Sequence, residues 1–535
     1  MQKFSRSRIV AAPLLGLAIG VAWLAPGLTA STATAASLPS ANVAWLPAAA
    51  DADIERAFAR ARAETKPVLL YWGATWCPPC NQLKATLFNR QDFAALSKNF
   101  VAVHVDGDRP AAQKLGQRFK VSGYPTVVLF NPQGQEITRL PGDVDAQQVM
   151  SVLELGLAGG RPIKAVLDDA LGGKTLSPNE WRTLAFYSWE TDEAQLVPKA
   201  ELPALLTRLA VAAPAANGDG EIATRLGLKA LAVSDDGKGV KADDALRQRV
   251  QRVLADPALA RSMSGVLIYG APAIVRALED EDSPRRAPLL ASYETALKRL
   301  EADPTLSRGD RMDALIARIN LARLGQPKEE TRPKIPEPLL ADVRTHVARA
   351  DREITDGYER QAVITSAAYA LGQAGLWAES DALLKSNLAK SHSPYYLMSQ
   401  LGSNARKLGR KDEALRWYAE AYDKSVGPAT RLQWGTGYLG ALIEFAPQDA
   451  ARIEKVASQL LREAAADAGA FEGRSARSLQ RMGSRLVGWS GDGKQAAALK
   501  RLQAQLDGIC PKVEPADRAT CQGLLKPAAA AKKEA

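Results

Sequence analysis

Cys77-Pro78-Pro79-Cys80 constrains the fold of this chain more than any other segment. It follows Trp76 and the apolar run Lys66-Pro67-Val68-Leu69-Leu70-Tyr71-Trp72, the pattern of a strand buried on both faces. Two thiols separated by two residues close a small ring and can hand that disulfide to another protein. At the start of a helix they also gain thiolate character from the helix dipole. Three chemistries are open to such a pair: redox exchange, metal binding, or a local staple.

The surrounding residues alternate helical and extended patterns. Asp51 to Thr65 reads as an amphipathic helix, with Ile54, Ala57, Phe58 and Ala61 on one face. Pro67 to Trp72 is a strand, and a helix starts at the cysteine pair and runs to about Phe88. Phe100 to Asp106 is a second buried strand, Pro110 to Phe119 a helix, and Pro125 to Phe130 a third strand. Asn131-Pro132-Gln133-Gly134 signals a turn into a fourth strand, Gln135 to Leu140, and Asp145 to Leu157 is a closing helix. The predicted order is α-β-α-β-α-β-β-α.

These features together resemble the thioredoxin superfamily, most closely its secreted or periplasmic thioredoxin-like group. The matching segments are Lys66-Pro67-Val68-Leu69-Leu70, Trp76-Cys77-Pro78-Pro79-Cys80, Phe100 to Asp106, Gly123-Tyr124-Pro125-Thr126 and the Gly134 hairpin. The resemblance covers residues 50–157. It implies an α/β thioredoxin fold, a mixed sheet with flanking helices. It also implies thiol–disulfide exchange without a bound cofactor. Cys77, at the helix start, is the expected nucleophile, and Cys80, one turn in, the resolving thiol. Pro78 and Pro79 suit a first turn, which gives up no N–H to the ladder. Trp76 is expected to flank an exposed sulfur. The resemblance makes Pro125 a cis proline, with the Tyr124 backbone receiving an extended substrate segment as an added strand.

Direction and departures come from particular residues. Pro78-Pro79 offers no charge or donor where oxidases and isomerases of the superfamily place a histidine, so a reductase is expected. Thioredoxins carry a buried Asp six residues ahead of the first cysteine. Here that position is Tyr71, and the next strand supplies Ala102-Val103 where a lysine partner would lie. His104 reads as a core or rim histidine. Ligand count argues against metal, because a four-ligand site needs two more Cys or His nearby. Only His104, His346 and His392 exist, and Cys510 and Cys521 lie far along the chain. That second pair reads as a structural disulfide; a second redox pair is the rival.

Beyond Gly159-Gly160-Arg161-Pro162 strand signals give way to Ala/Leu-rich helical periodicity, an all-α helical-repeat region. Part of it repeats with an offset of 34 residues, which relates Gly375 to Gly409, Ala368 to Gly402 and Ser380 to Ala414. Tyr395 to Pro428 resembles one tetratricopeptide helix pair. Trp377, Trp417, Trp434 and Tyr395/Tyr396 read as core. The expected divisions are 1–36 signal peptide, 37–160 thioredoxin-like domain, 161–330 all-α domain, 331–508 tetratricopeptide-like repeats, and 509–535 disulfide loop and disordered tail.

Lys3, Arg6 and Arg8 precede an uncharged stretch from Ile9 to Leu28 and a small-residue run with cleavage points after Ala35 or Ala36. This is the pattern of a Sec-type signal peptide, and an uncleaved anchor is its rival. Export to the periplasm or beyond fits cysteines that fall in two local pairs. Losing the three leader cations takes the net charge from +10 to +7. The remaining cations are dispersed among acids, which argues against nucleic-acid binding. The expected partners are protein thiols and disulfides, with a membrane electron donor to keep the pair reduced and no stable membrane insertion once the signal is cleaved. The competing reading is a non-catalytic interaction scaffold of helical repeats with a thioredoxin-like binding domain.

Overall fold

Val68-Leu69-Leu70-Tyr71-Trp72-Gly73 carries no charge because both of its faces are covered. In the computed structural model it is the central strand of a five-stranded mixed sheet. The structure describes residues 43–121, 123–140, 145–189, 191–192, 196–214, 220–491 and 493–526. The leader 1–36 and the tail from Pro527 lie outside the described residues.

The strands are β1 (Leu46–Ala48), β2 (Val68–Gly73), β3 (Val101–Asp106), β4 (Thr126–Phe130) and β5 (Glu136–Leu140), in the order β1-β3-β2-β4-β5. β1, β3 and β2 run parallel, whereas β4 is antiparallel to both β2 and β5. The first of five flanking helices, α1 (Asp51–Glu64), buries Ile54, Ala57, Phe58 and Ala61 and ends where Thr65 turns left-handed at φ 51°. The others are α2 (Pro78–Leu83), α3 (Gln91–Leu96), α4 (Ala112–Arg118) and α5 (Ala146–Leu157). One sheet face packs Leu70, Trp72, Val103 and Val128 against α1 and α4.

Three details depart from the pattern read in the sequence. β1 is only three residues long and contains Pro47, which an edge strand tolerates and a periodicity reading misses. The single helix expected from the cysteine pair to Phe88 is α2 followed by a π-helical turn, Lys84–Phe88. α3, capped by extended Arg90, is an additional element.

After α5, the regular elements among the described residues are all helices, ending at Gly523. None is long and apolar enough to cross a membrane. Buried Arg318 binds together three helices by donating to Glu294, Glu301 and Asp342. Two consecutive helix pairs carry the 34-residue offset: Gly357–Gln373 with Trp377–Asn387, and Pro394–Lys407 with Lys411–Lys424. Gly375 and Gly409 sit at equivalent turns with φ of 82° and 69°, where a side chain would be strained. Ser380 Oγ donates to the Ala368 carbonyl at 2.7 Å, a contact that needs both residues small. The proline-rich stretch near residue 330 is fastened rather than slack. Arg323 donates to the Gln373 carbonyl at 2.7 Å, and Trp377 Nε1 donates to the Thr331 carbonyl at 2.7 Å. All the described residues belong to one compact unit.

Candidate functional site

β2 delivers the chain to a short loop, Ala74 to Trp76, and then into α2. Cys77 caps that helix in an extended conformation, and its Sγ accepts from the Cys80 amide at 3.2 Å. Pro78 and Pro79 occupy the first turn, where no ladder hydrogen bond is lost. The Asn81 side chain donates to the carbonyls of Thr75 and Cys77, each at 2.8 Å, and so sets the approach of the loop to the helix. Cys77 and Cys80 are joined by a disulfide, with Cα atoms 5.2 Å apart.

The loop before β4 brings Tyr124 and Pro125 to the same end of the sheet, and their peptide bond is cis. The Tyr124 hydroxyl accepts from Gln113 Nε2 at 2.7 Å, and its ring meets Trp76 edge-on at 6.3 Å. A Cβ at Gly107 would collide with this hydroxyl, so the glycine is what admits the tyrosine. Thus five residues singled out in the sequence lie at one end of β2 and β4: Trp76, Cys77, Tyr124 and Pro125 on neighbouring loops and Cys80 in the first turn of α2.

Behind the pair, Tyr71 stacks on His104 with ring centroids 5.0 Å apart and meets Phe88 edge-on at 4.8 Å. The Tyr71 hydroxyl is buried without a hydrogen-bond partner, and burial pushes its pKa well above the usual phenol range. Burial first, then Lys84 and Arg109, push His104 down to about 3. Neither group is therefore tuned to exchange a proton with Cys80 near neutrality. The charged groups here are Lys84, pushed down to about 8 by burial, and Asp106, pushed up by burial. The Lys84 ammonium lies 5.3 Å from the centre of the Tyr358 ring.

The sulfurs are not exposed, contrary to the expectation for Cys77. Cys77 is 2% exposed and Cys80 0%. The cover comes from the helical region. Gln361 Nε2 donates to the Trp76 carbonyl at 3.3 Å, and His392 Nε2 to the Thr75 carbonyl at 3.1 Å. The Trp76 indole N–H is shared between Asp108 Oδ2 and Thr430 Oγ1, both at 2.7 Å. The Thr430 hydroxyl in turn donates to Asp108 Oδ1 at 2.6 Å. Burial raises the Asp108 pKa, while Arg474, 3.8 Å away, opposes the rise. The Trp76 ring lies against Tyr396 at 5.7 Å and 17°, against Trp434 at 5.1 Å, and under the Arg474 guanidinium at 4.6 Å. Of the residues read from the sequence as core, Trp434 is buried and Tyr396 half-buried, both against the cysteine loop. Asp108, Thr430 and Arg474 carry no local sequence signal for this placement, because their partners are up to 398 residues away, from Trp76 to Arg474.

Cys510 and Cys521 form a second disulfide, with Cα atoms 5.7 Å apart, across the turn between the helices Ala496–Ile509 and Arg518–Gly523. Glu514 in this turn pairs with Lys114 of α4. Among the described residues, no cluster of three or more His, Cys, Asp or Glu is arranged to hold a metal ion.

A family model described as a thioredoxin-like domain matches residues 54–156. The thioredoxin-like protein slr0233 of Synechocystis is 33% identical over 90 residues, which are 17% of this chain and 81% of that protein. Thiol:disulfide interchange protein DsbD 2 of Pseudomonas aeruginosa is 33% identical over 111 residues, 20% of this chain and 19% of that one. The chain therefore spans about a fifth of the length of this larger relative. A solution structure of a thioredoxin from Thermus thermophilus is 28% identical and matches 21% of this chain and 85% of its own, with a TM-score of 0.19.

Proposed function

Because the chain belongs to the thioredoxin-like family through residues 54–156, we propose that it is an exported thiol–disulfide oxidoreductase that reduces disulfides in client proteins. The observation that carries this reading is the Cys77–Cys80 disulfide at the start of α2, beside the cis Tyr124–Pro125 bond.

The reaction starts from the dithiol. The Cys77 thiolate, stabilised by the Cys80 N–H and the first turn of α2, attacks one sulfur of a client disulfide. A Cys77–client S–S bond forms, the client's own S–S bond breaks, and the second client sulfur leaves as a thiolate that takes up a proton. Cys80, once deprotonated, attacks Cys77 Sγ, closes the Cys77–Cys80 disulfide and releases the other client thiolate. Two electrons pass to the client, and a dithiol donor, held in a membrane, must return them. No bound cofactor takes part. Tyr124 and Pro125 position the client segment, and the tetratricopeptide-like helices select it. Tyr71 in place of a buried acid leaves Cys80 without a tuned base, so the resolving step is slow compared with thioredoxin.

Insulin reduction driven by dithiothreitol tests this. The wild-type chain is expected to turn over, Cys77→Ser to lose at least 10²-fold, the scale of losing a nucleophile, and Cys80→Ser to accumulate mixed disulfides on Cys77. Absence of Cys77-dependent turnover would sink the proposal. The burial of Cys77 favours a second reading, a non-catalytic interaction protein, which predicts equal rates for wild type and Cys77→Ser.

A further inference from the structure

We infer that the helical region is a cap that shuts the Cys77–Cys80 disulfide away from protein partners and must lift from Trp76 before exchange occurs. The inference rests on the redox reading for its purpose, but its geometry stands independently.

Attack on a disulfide needs a sulfur of one partner in line with the S–S bond of the other. At 2% exposure Cys77 offers a protein chain no such approach. Six side chains of the helical region do the covering: Gln361, His392, Tyr396, Thr430, Trp434 and Arg474. Five of them sit on four separate helices, Gly357–Gln373, Pro394–Lys407, Pro428–Phe445 and Gly473–Trp489, and His392 on the loop before the second. They converge on Thr75 and Trp76, the two residues that lead into Cys77. The Trp76 carbonyl is taken by Gln361, and the Thr75 carbonyl, which also accepts from Asn81, by His392. The indole N–H of Trp76 is taken by Asp108 and Thr430, and its ring faces are taken by Tyr396 and Arg474.

The composition of these contacts makes the closure reversible. They are hydrogen bonds, a stacked ring and a cation over a ring rather than aliphatic packing. Water replaces the hydrogen-bond partners when the surfaces part, so the cost of opening lies chiefly in re-exposing the rings of Trp76, Tyr396 and Trp434. Glycines allow the close approach. A Cβ at Gly427, next to the helix that carries Thr430, would lie 2.6 Å from the Asp108 Cβ, and one at Gly473 would meet Gln113 Oε1 at 2.8 Å. The same Gln113 oxygen accepts from the Arg474 amide at 2.9 Å and its amide nitrogen donates to the Tyr124 hydroxyl, so the cap grips both loops of the site.

The test uses the full chain and reads Cys77 directly. The reduced protein is exposed to iodoacetamide or to a bulky polyethylene-glycol maleimide, and the Cys77 peptide is quantified by mass spectrometry. Wild-type Cys77 is expected to react with the bulky reagent far more slowly than the same chain in denaturant. Thr430→Val, which keeps the shape but removes the hydroxyl between Asp108 and Trp76, is expected to raise the bulky-reagent rate about tenfold, the factor one net hydrogen bond supplies. Tyr396→Ala, which uncovers one ring face, is expected to do the same, and circular dichroism checks that each variant is folded. Equal labelling of native and denatured wild type overturns the cap, as does an unchanged rate in both folded variants. Insulin turnover separates the two readings. Slow labelling released by Thr430→Val without Cys77-dependent turnover leaves the cap standing and removes the reductase. Turnover with freely labelled wild-type Cys77 does the reverse.

Discussion

His104 is held neutral in the folded protein by its surroundings, and this makes it an acid-sensitive point. Its pKa is pushed down from 6.5 to about 3, mainly by burial against Tyr71 and Trp45. Below pH 6.5 the unfolded chain takes up a proton that the folded chain refuses, so stability falls with pH from 6.5 until about 3. At pH 4.5 wild type is expected to have lost about 2–3 kcal/mol through this residue relative to pH 7. His104→Phe, which keeps the stacked ring without a titrating nitrogen, is expected to remove that part of the slope in urea unfolding across this range. Parallel slopes would show that His104 titrates normally. At this scale the sequence is eloquent about Cys77 and Cys80, because a buried strand running into a capping cysteine is a local pattern. Pro125 is legible only through the resemblance, since a proline before a strand alone reads as trans. The sequence says less about Asp108. A lone acid in a loop looks solvated until Thr430 and Trp76 are seen to close around it.

Among the elements, the turn closed by Cys510 and Cys521 is short, and its disulfide acts on the unfolded chain by restricting it. Replacing both cysteines by serine is expected to lower stability by about 2–3 kcal/mol, seen as an earlier denaturation midpoint. Insulin turnover through Cys77 should be unaltered. Turnover that falls with the double replacement would make the pair a second redox couple. The sheet was legible in the sequence, apart from β1, because buried strands and the Gly134 turn have short-range signatures. The break of α2 into a π-helical turn at Lys84–Phe88 was not legible, since nothing in that stretch is a helix breaker. The 34-residue offset between Gly375 and Gly409 was readable because each glycine ends a helix with positive φ. Between 162 and 360 positive-φ glycines also follow helices, as at Gly173 and Gly325, but they are not evenly spaced and no period shows.

Taken as a whole, the molecule joins its sheet and its helices through polar contacts at several places. Ala111 N donates to Asp467 at 2.8 Å, Gln148 donates to the Ser262 carbonyl at 2.9 Å, and Gln82 bonds Ser307. Calorimetry of the full chain is expected to give one unfolding transition, with calorimetric and van't Hoff enthalpies in agreement. Two resolved transitions would mean that the sheet and the helices unfold independently. This level of organisation was the least visible in advance, because hydrophobic periodicity reports which face of a helix is covered and not by what.

The spacing of the partners also fixes an order of events in time. Trp76 meets Thr430 across 354 residues and Gln113 meets Arg474 across 361. At about 5–20 residues per second of synthesis, the cysteine loop is made roughly 20–70 s before the residues that will cover it exist. A newborn chain therefore passes through a stage in which both thiols are open to any oxidant or partner at hand. The redox state acquired in that interval is the one the arriving helices first close over, and it persists until the cap lifts.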